Sequence, residues 1–383
     1  MTFNAKQYQQ QLQQLVAIPS VSCAVPEWDM PNLPVIELLA TWLDEMGLRT
    51  RIMPLKQQGK ANLIATLGEG DGGLVLAGHS DTVPYDTHRW QSDPFKLTEK
   101  DGKLFGLGAT DMKGFFPVVI EAIKPFLKMP LKHPVIILAT ADEESSMSGA
   151  RALAASGTPK GRYAVIGEPT ELVPVRMHKG IMMEAVRVQG RSGHSSNPAL
   201  GRSALDCMNQ VMNELIALRA ELQSRYRNPG FAVAVPTLNL GCIHGGDGAN
   251  RICAECELHF DLRLLPGMDN DEIRSIIQQR LSPIAQATGT DIILSSLFEG
   301  VDAFAEDEHS ALIQTCEALT GNRSESVAFA TEAPFMQQLG MQTVVLGPGS
   351  INQAHQPDEF IDTRQIEPAI AIIRGLIQKF CLE

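Results

Sequence analysis

Long apolar runs are missing from this chain: no stretch approaches the roughly 18 consecutive apolar residues that a membrane-spanning helix requires. The opening MTFNAKQYQQQLQQL has no apolar segment behind a basic start, so no secretory leader is expected there. An excess of positive charge is missing too. The 32 Lys and Arg stand against 44 Asp and Glu, a net charge of -12. That argues against a general nucleic-acid or anionic-membrane binder, whose affinity would come from basic patches. Cysteines are few, odd in number (7) and scattered, as suits reduced thiols in a cytoplasmic enzyme rather than a disulfide framework. The one C-x-x-C, Cys253 to Cys256, has no second pair and falls in strand-like RICAECELHFDLRLL, so it reads as packing. There is no G-x-S-x-G elbow to carry a serine nucleophile. GEGDGG at 68–73 spells G-x-G-x-x-G but sits between two apolar strands, with two acids that would repel a pyrophosphate. It is expected to be a hairpin turn between them, so a dinucleotide site is not expected.

What is present is ordinary globular material: 383 residues, 44% hydrophobic and 20% charged, enough for two domains. In the first half LVLAG, PVIILAT and YAVIG read as buried strands, with MKGFFPVVIEAIKPFLK and SGARALAAS between them as helices. A late strand, TVVLG, and a closing helix, EPAIAIIRGLIQKF, continue the pattern. Apolar strands alternating with helices imply an α/β fold with a mainly parallel mixed sheet covered by helices. The middle differs, running β-α-β-α-β from IMMEAVRVQG to DIILSSLF, which suits a smaller α+β domain inserted into the larger one. The boundaries are placed at 181–298 for the insert, with 1–180 and 299–383 forming the main domain. There are no internal repeats and no low-complexity tracts.

Each apolar strand of the main domain runs out into acids or histidine. LVLAG leads to His79 and Asp81, PVIILAT to Glu143 and Glu144, YAVIG to Glu168, and VVLG to His355, while Asp111 stands in the glycine-rich GLGATDMKG. Taken singly, each has an ordinary reading: Glu143 and Glu144 suit an acidic helix start, and His355 suits a surface loop. Ligand sites in open α/β sheets gather at the carboxyl ends of strands, so five segments would deliver His, Asp, Glu-Glu, Glu and His to one edge. That donor set suits a two-metal hydrolytic centre. Imidazole and carboxylate favour Zn²⁺, with Co²⁺ or Mn²⁺ as alternatives, and a carboxylate can bridge two such ions. A water held there becomes acidic enough to act as nucleophile near neutral pH. One of the adjacent glutamates would ligate and leave the other as general base. Asp81 would accept the second ring N–H of His79 and fix its tautomer.

The stretches GHSDTVP, GLGATDMKG, ATADEESS, IGEPT, GRSGHSS and GPGSINQAHQPDE resemble the M20 metallopeptidases, in that family's order and over nearly the whole chain. The resemblance implies metal ligands at His79, Asp111 (bridging), Glu144, Glu168 and His355. His79 and Glu168 would hold one ion, Glu144 and His355 the other. It implies the catalytic pair Asp81 and Glu143, and a homodimer formed through the inserted domain. His194 matches a family histidine that helps polarise the scissile carbonyl; without the family it would read as a turn or cap. Arg251 suits a bidentate clamp on an α-carboxylate, with Asn250 beside it, although the glycines around them also suit a surface turn. The implied partner is a small N-acyl amino acid. ATEAPF and GPGSINQAHQPDE look most like members that act on N-acetylornithine, with Glu332 meeting the δ-ammonium or else capping the next helix. A broad aminoacylase or a desuccinylase would keep the same centre, and a non-catalytic binding protein would have lost part of it.

Overall fold

The computed structural model describes residues 3–86 and 88–383. The chain divides into two compact units, Met1–Arg176 with Glu306–Glu325 and Thr331–Glu383, and Met177–Ala305 with Ser326–Ala330. The second unit is therefore a few residues wider at each end than 181–298. It also takes in a short later segment, where the Ser326 hydroxyl donates to the Gly230 carbonyl.

The first unit is built on a sheet whose strands lie side by side in the order Arg49–Pro54, Ala61–Leu67, Val135–Thr140, Leu74–His79, Tyr163–Ile166 and Gln342–Val345. The last four run parallel, and the first two are antiparallel additions at one edge. Leu74–His79 and Val135–Thr140 are buried at every residue, which is why their sequences are continuous apolar runs instead of alternating ones. Helices flank the sheet. Leu33–Glu45 packs on the first two strands, while Phe115–Ile123 lies against Ile366–Ile377. All nine residues of Phe115–Ile123 are buried.

The expected hairpin at 68–73 is not formed. Ala61–Leu67 and Leu74–His79 do not pair with each other, because Val135–Thr140 lies between them and bonds to both. The glycines serve another purpose there. Gly73 has φ +86°, and a Cβ on it would lie 2.0 Å from the Pro134 carbonyl oxygen, so only glycine lets the two chains approach this closely.

The second unit has a four-stranded antiparallel sheet in the order Thr237–Gly245, Glu255–Leu264, Gly180–Gln189, Asp291–Ser296. Its element order is β-α-β-β-α-β, one strand more than the sequence pattern suggested. The extra strand, Thr237–Gly245, is largely exposed and shifts register between Leu240 and Cys242. It therefore lacks the inward–outward alternation that marks Glu255–Leu264, where every second side chain is buried. Two helices, Ala204–Arg225 and Asn270–Thr288, complete its core. Each starts on a capping side chain, Ser203 accepting from the Asp206 N–H and Asp269 from the Glu272 N–H. Cys253 lies just before Glu255–Leu264 and Cys256 within it, both buried, as packing residues.

Candidate metal centre

Parallel strands place their carboxyl ends on one edge, and the first unit's acids and histidines converge there. His79 is the last residue of its strand. Asp111 precedes the buried helix Phe115–Ile123, Glu143 and Glu144 lie between Val135–Thr140 and the helix Ser148–Ser156, and Glu168 follows Tyr163–Ile166 by two residues. His355 comes in the loop after Gln342–Val345, on a left-handed backbone at φ +58°.

The side chains meet. His79 Nε2 lies 3.1 Å from Asp111 Oδ1 and 4.0 Å from Glu168 Oε2. His355 Nε2 lies 3.5 Å from the other Asp111 oxygen and 3.0 Å from Glu144 Oε2. Asp111 thus faces one histidine with each oxygen, the disposition a bridging carboxylate needs. Donor atoms of His79, Glu143 and Glu168 cluster within 4.8 Å of one another, and so do those of His79, Asp111 and Glu144. His79 and Asp81 are fully buried, whereas the His355 side chain is 53% exposed.

Carboxylates outnumber imidazoles in this cluster. Burial pushes the Glu143 and Glu168 carboxyls well above their usual range; for Glu143 the neighbouring charge of Glu168 adds to this, and for Glu168 that of Asp111. Burial likewise lifts Asp81 to about 6, against the pull of His79. For Asp111 burial is outweighed by hydrogen bonds from His355 and His79, which hold it well below the carboxylate range. Those to Asp111 and Glu144 lift His355 to about 10. A pocket of buried carboxylates with two imidazoles is costly as it stands and suited to divalent cations. The donor set fits such ions on that ground.

Asp81 departs from expectation in detail. His79 Nδ1 donates to the Asp81 backbone carbonyl at 3.0 Å, while the Asp81 carboxylate lies 3.8 Å away and accepts the Glu144 backbone N–H at 3.1 Å. The carbonyl fixes the tautomer that leaves Nε2 facing the cluster, and the carboxylate instead holds the loop of the paired glutamates. Glu332 occupies the cap position of Ala333–Gln338 but makes no side-chain capping bond. It is 1% exposed, accepts from the Thr140 hydroxyl at 2.9 Å and leaves Oε1 without a partner. Burial raises its carboxyl to about 7.

His194, Asn250 and Arg251 belong to the second unit, where His194 and Arg251 pair through their backbones and the Ser195 N–H donates to the Asn250 carbonyl. All three are exposed. His194 Nδ1 lies 2.7 Å from the Ser196 hydroxyl, and Arg251 pairs with Asp247. Ser203 caps the long helix, so His194 does not. One residue the sequence reading passed over is Glu359, 2% exposed, whose carboxylate accepts the backbone N–H groups of Gly108, Thr110 and Asp111. Its signal was only its place at the end of the QPDE stretch.

Comparison with known proteins agrees with this geometry. The sequence model for Peptidase family M20/M25/M40 matches residues 75–379. An acetylornithine deacetylase from Proteus mirabilis is 47% identical over 96% of this chain and 95% of its own length. Another from Pasteurella multocida is 48% identical over 96% of each chain. Among solved structures, an M20 family metallo-carboxypeptidase from Sulfolobus solfataricus superposes with a TM-score of 0.76, at 18% identity, over 98% of this chain and 99% of that one.

Proposed function

The chain belongs to peptidase family M20/M25/M40 and is a metallohydrolase of it, and from that premise we propose that it hydrolyses N2-acetyl-L-ornithine to L-ornithine and acetate. The observation that carries the substrate is the near full-length identity to acetylornithine deacetylases. The observation that supports the chemistry is the clustered donor set at the sheet edge.

In this reading His79 and Glu168 would hold one divalent ion and Glu144 and His355 a second, with Asp111 as the carboxylate that would be shared between them. Zn²⁺ is the proposed metal, with Co²⁺ or Mn²⁺ as working substitutes. Bound there, the ions supply Lewis acidity toward the amide carbonyl and lower the pKa of a bound water. Glu143 takes a proton from the attacking water and delivers it to the leaving α-amine, so that amide and water become amine and carboxylate. Burial beside other carboxylates raises its proton affinity, which suits both halves of that task. The Asp81 carbonyl keeps the His79 tautomer, and its carboxylate holds the backbone of Glu144. Arg251 and Asn250 bind the substrate α-carboxylate and His194 the scissile carbonyl. We also place the protein in the cytoplasm, since its seven cysteines are all unpaired, and as a homodimer through the second unit. No helix among the described residues is long and apolar enough to cross a membrane.

The test is metal-replete hydrolysis of N-acetylornithine, N-acetylmethionine and N-succinyl-diaminopimelate, with Glu143→Ala alongside. N-acetylornithine should give the highest kcat/KM, and Glu143→Ala should lose a factor of about 10²–10⁴ while keeping its metal stoichiometry. Because Glu143 also sits in one of the two donor trios, loss of an ion in that variant would make it a ligand instead. A different best substrate would overturn the assignment to ornithine.

A further inference from the structure

The two neighbouring glutamates sit on a short loop, and the loop is held by groups that no part of the mechanism above uses. Its neck is closed by Asn62, which is fully buried. The Asn62 side-chain oxygen accepts the Ala141 N–H at 3.1 Å, and its amide donates to the Gly149 carbonyl at 2.9 Å. Inside the loop, Asp142 adopts a left-handed backbone at φ +58°. Its carbonyl accepts the N–H groups of Ser146 and Met147 at 3.0 and 2.6 Å. One carboxylate oxygen accepts Lys60 Nζ at 2.6 Å and the Ser22 hydroxyl at 3.0 Å; the other accepts the Ser148 hydroxyl at 2.8 Å. Lys60 Nζ also reaches Asp29 at 2.8 Å, and Asp29 is fixed in turn by the Cys23 N–H and the Gln57 amide.

The Lys60 and Asp142 side chains are 1% and 3% exposed. A buried ion triad is a weak device for stability, because the desolvation of its charges offsets most of their attraction. A position is what such a triad can define, since each bond fixes an angle as well as a distance. This one ends on the residue immediately before Glu143. Glu143 and Glu144 must also stay together against their own repulsion and that of Glu168.

We propose that Lys60 is a positioning residue: through Asp142 it sets where Glu143 and Glu144 stand. The inference rests on the metal-centre reading and adds to it a support outside the donor set.

The test uses Lys60→Met and Asp29→Asn in the full chain, with kcat and KM for N-acetylornithine, the Co²⁺ absorption spectrum, and the thermal midpoint of the metal-free protein. Lys60→Met should lower kcat at saturating Co²⁺ by a factor of about 10 or more, leave KM within about threefold, and change the Co²⁺ spectrum, as loss of an outer partner does. Asp29→Asn, at the far end of the triad, should produce the same changes in smaller degree. A lower thermal midpoint with unchanged kcat and spectrum in the folded protein would make the triad merely structural and overturn the proposal. Should Lys60→Met fail to fold, Asp29→Asn decides on the same terms. Wild-type protein that binds no Co²⁺ would instead refute the metal-centre reading, and the kcat ratio would still decide whether Lys60 positions the loop.

Discussion

Replacing Glu359 by Gln tests how far the loop of Asp111 depends on a single buried carboxylate. Oε1 accepts from Thr110 and Asp111 at 2.8 and 2.9 Å, and Oε2 accepts from Gly108 at 2.9 Å. Glutamine keeps one acceptor and turns the other into a donor. It can retain the Thr110–Asp111 pair, while its NH₂ confronts the Gly108 N–H. The lost bond is to a charged group, worth about 1.5–3 kcal/mol, and each retained bond falls from charged to neutral strength, about 1 kcal/mol apiece. Against this, burial and the charge of Asp111 raise the Glu359 carboxyl above its usual range, so removing its charge offsets roughly half of that loss. The net expectation is a loss of about 2 kcal/mol, a fall in thermal midpoint of about 2–4 °C at about 1–2 °C per kcal/mol for a chain of this length. The freed loop carries Asp111, so Zn²⁺ affinity should also fall about tenfold or more. Differential scanning of the metal-free protein and titration calorimetry with Zn²⁺ read the two effects separately. A Glu359→Gln variant with wild-type midpoint and wild-type Zn²⁺ affinity would show that the three N–H groups find other partners, and the reasoning would fail.

Gly73→Ala should prevent accumulation of folded protein, or cost several kcal/mol in denaturant melts, because its Cβ meets the Pro134 carbonyl at 2.0 Å on a left-handed backbone. Normal expression and melting of that variant would mean the strand entry is looser than described. Burial lowers His178 to about 4, so the unfolded chain takes up a proton below about 6.5 that the folded chain refuses. Stability should be fully present above that pH and decline as pH falls toward 4, by about 3 kcal/mol in all. His178→Gln should flatten this part of the acid limb, and an unchanged slope would assign it to other groups. Zn²⁺ added to chelator-treated protein should raise stability by about 4 kcal/mol at a thousandfold excess over Kd. The increment should shrink in Glu144→Ala, and an equal rise in both would place Zn²⁺ elsewhere.

Most of the candidate donor set was legible in the sequence because His79, Glu143, Glu144, Glu168 and His355 follow continuous apolar runs of the kind a buried parallel strand produces, and strand ends are where such sheets place chemistry; Asp111, in a glycine-rich loop ahead of Phe115–Ile123, follows no such strand. His79 and Glu168 needed nothing further than that rule. The residues that hold the donors were not legible. Lys60 and Asn62 come before the first ligand in the chain and look like surface residues until the antiparallel edge folds them inward, and Asp29, in the loop ahead of Leu33–Glu45, looks like a surface residue until Lys60 reaches it. The order of strands was hidden for a related reason: neighbours in sequence, such as Ala61–Leu67 and Leu74–His79, are separated by a strand supplied some 70 residues later. Thr237–Gly245 escaped notice because an exposed edge strand carries no hydrophobic alternation to read.

The parallel strand Gln342–Val345 has a consequence for biosynthesis. Its partner, Tyr163–Ile166, leaves the ribosome roughly 175 residues earlier, which is on the order of 10–35 s at 5–20 residues per second. During that interval the whole of the middle unit is made while a fully apolar strand edge waits for its neighbour. His355 emerges later still, so the nascent chain cannot assemble the complete donor set until the segment after Gln342–Val345 has also been made. Binding of metal by the full set therefore follows synthesis of the middle unit, and until then the waiting strand edge is open to wrong pairing.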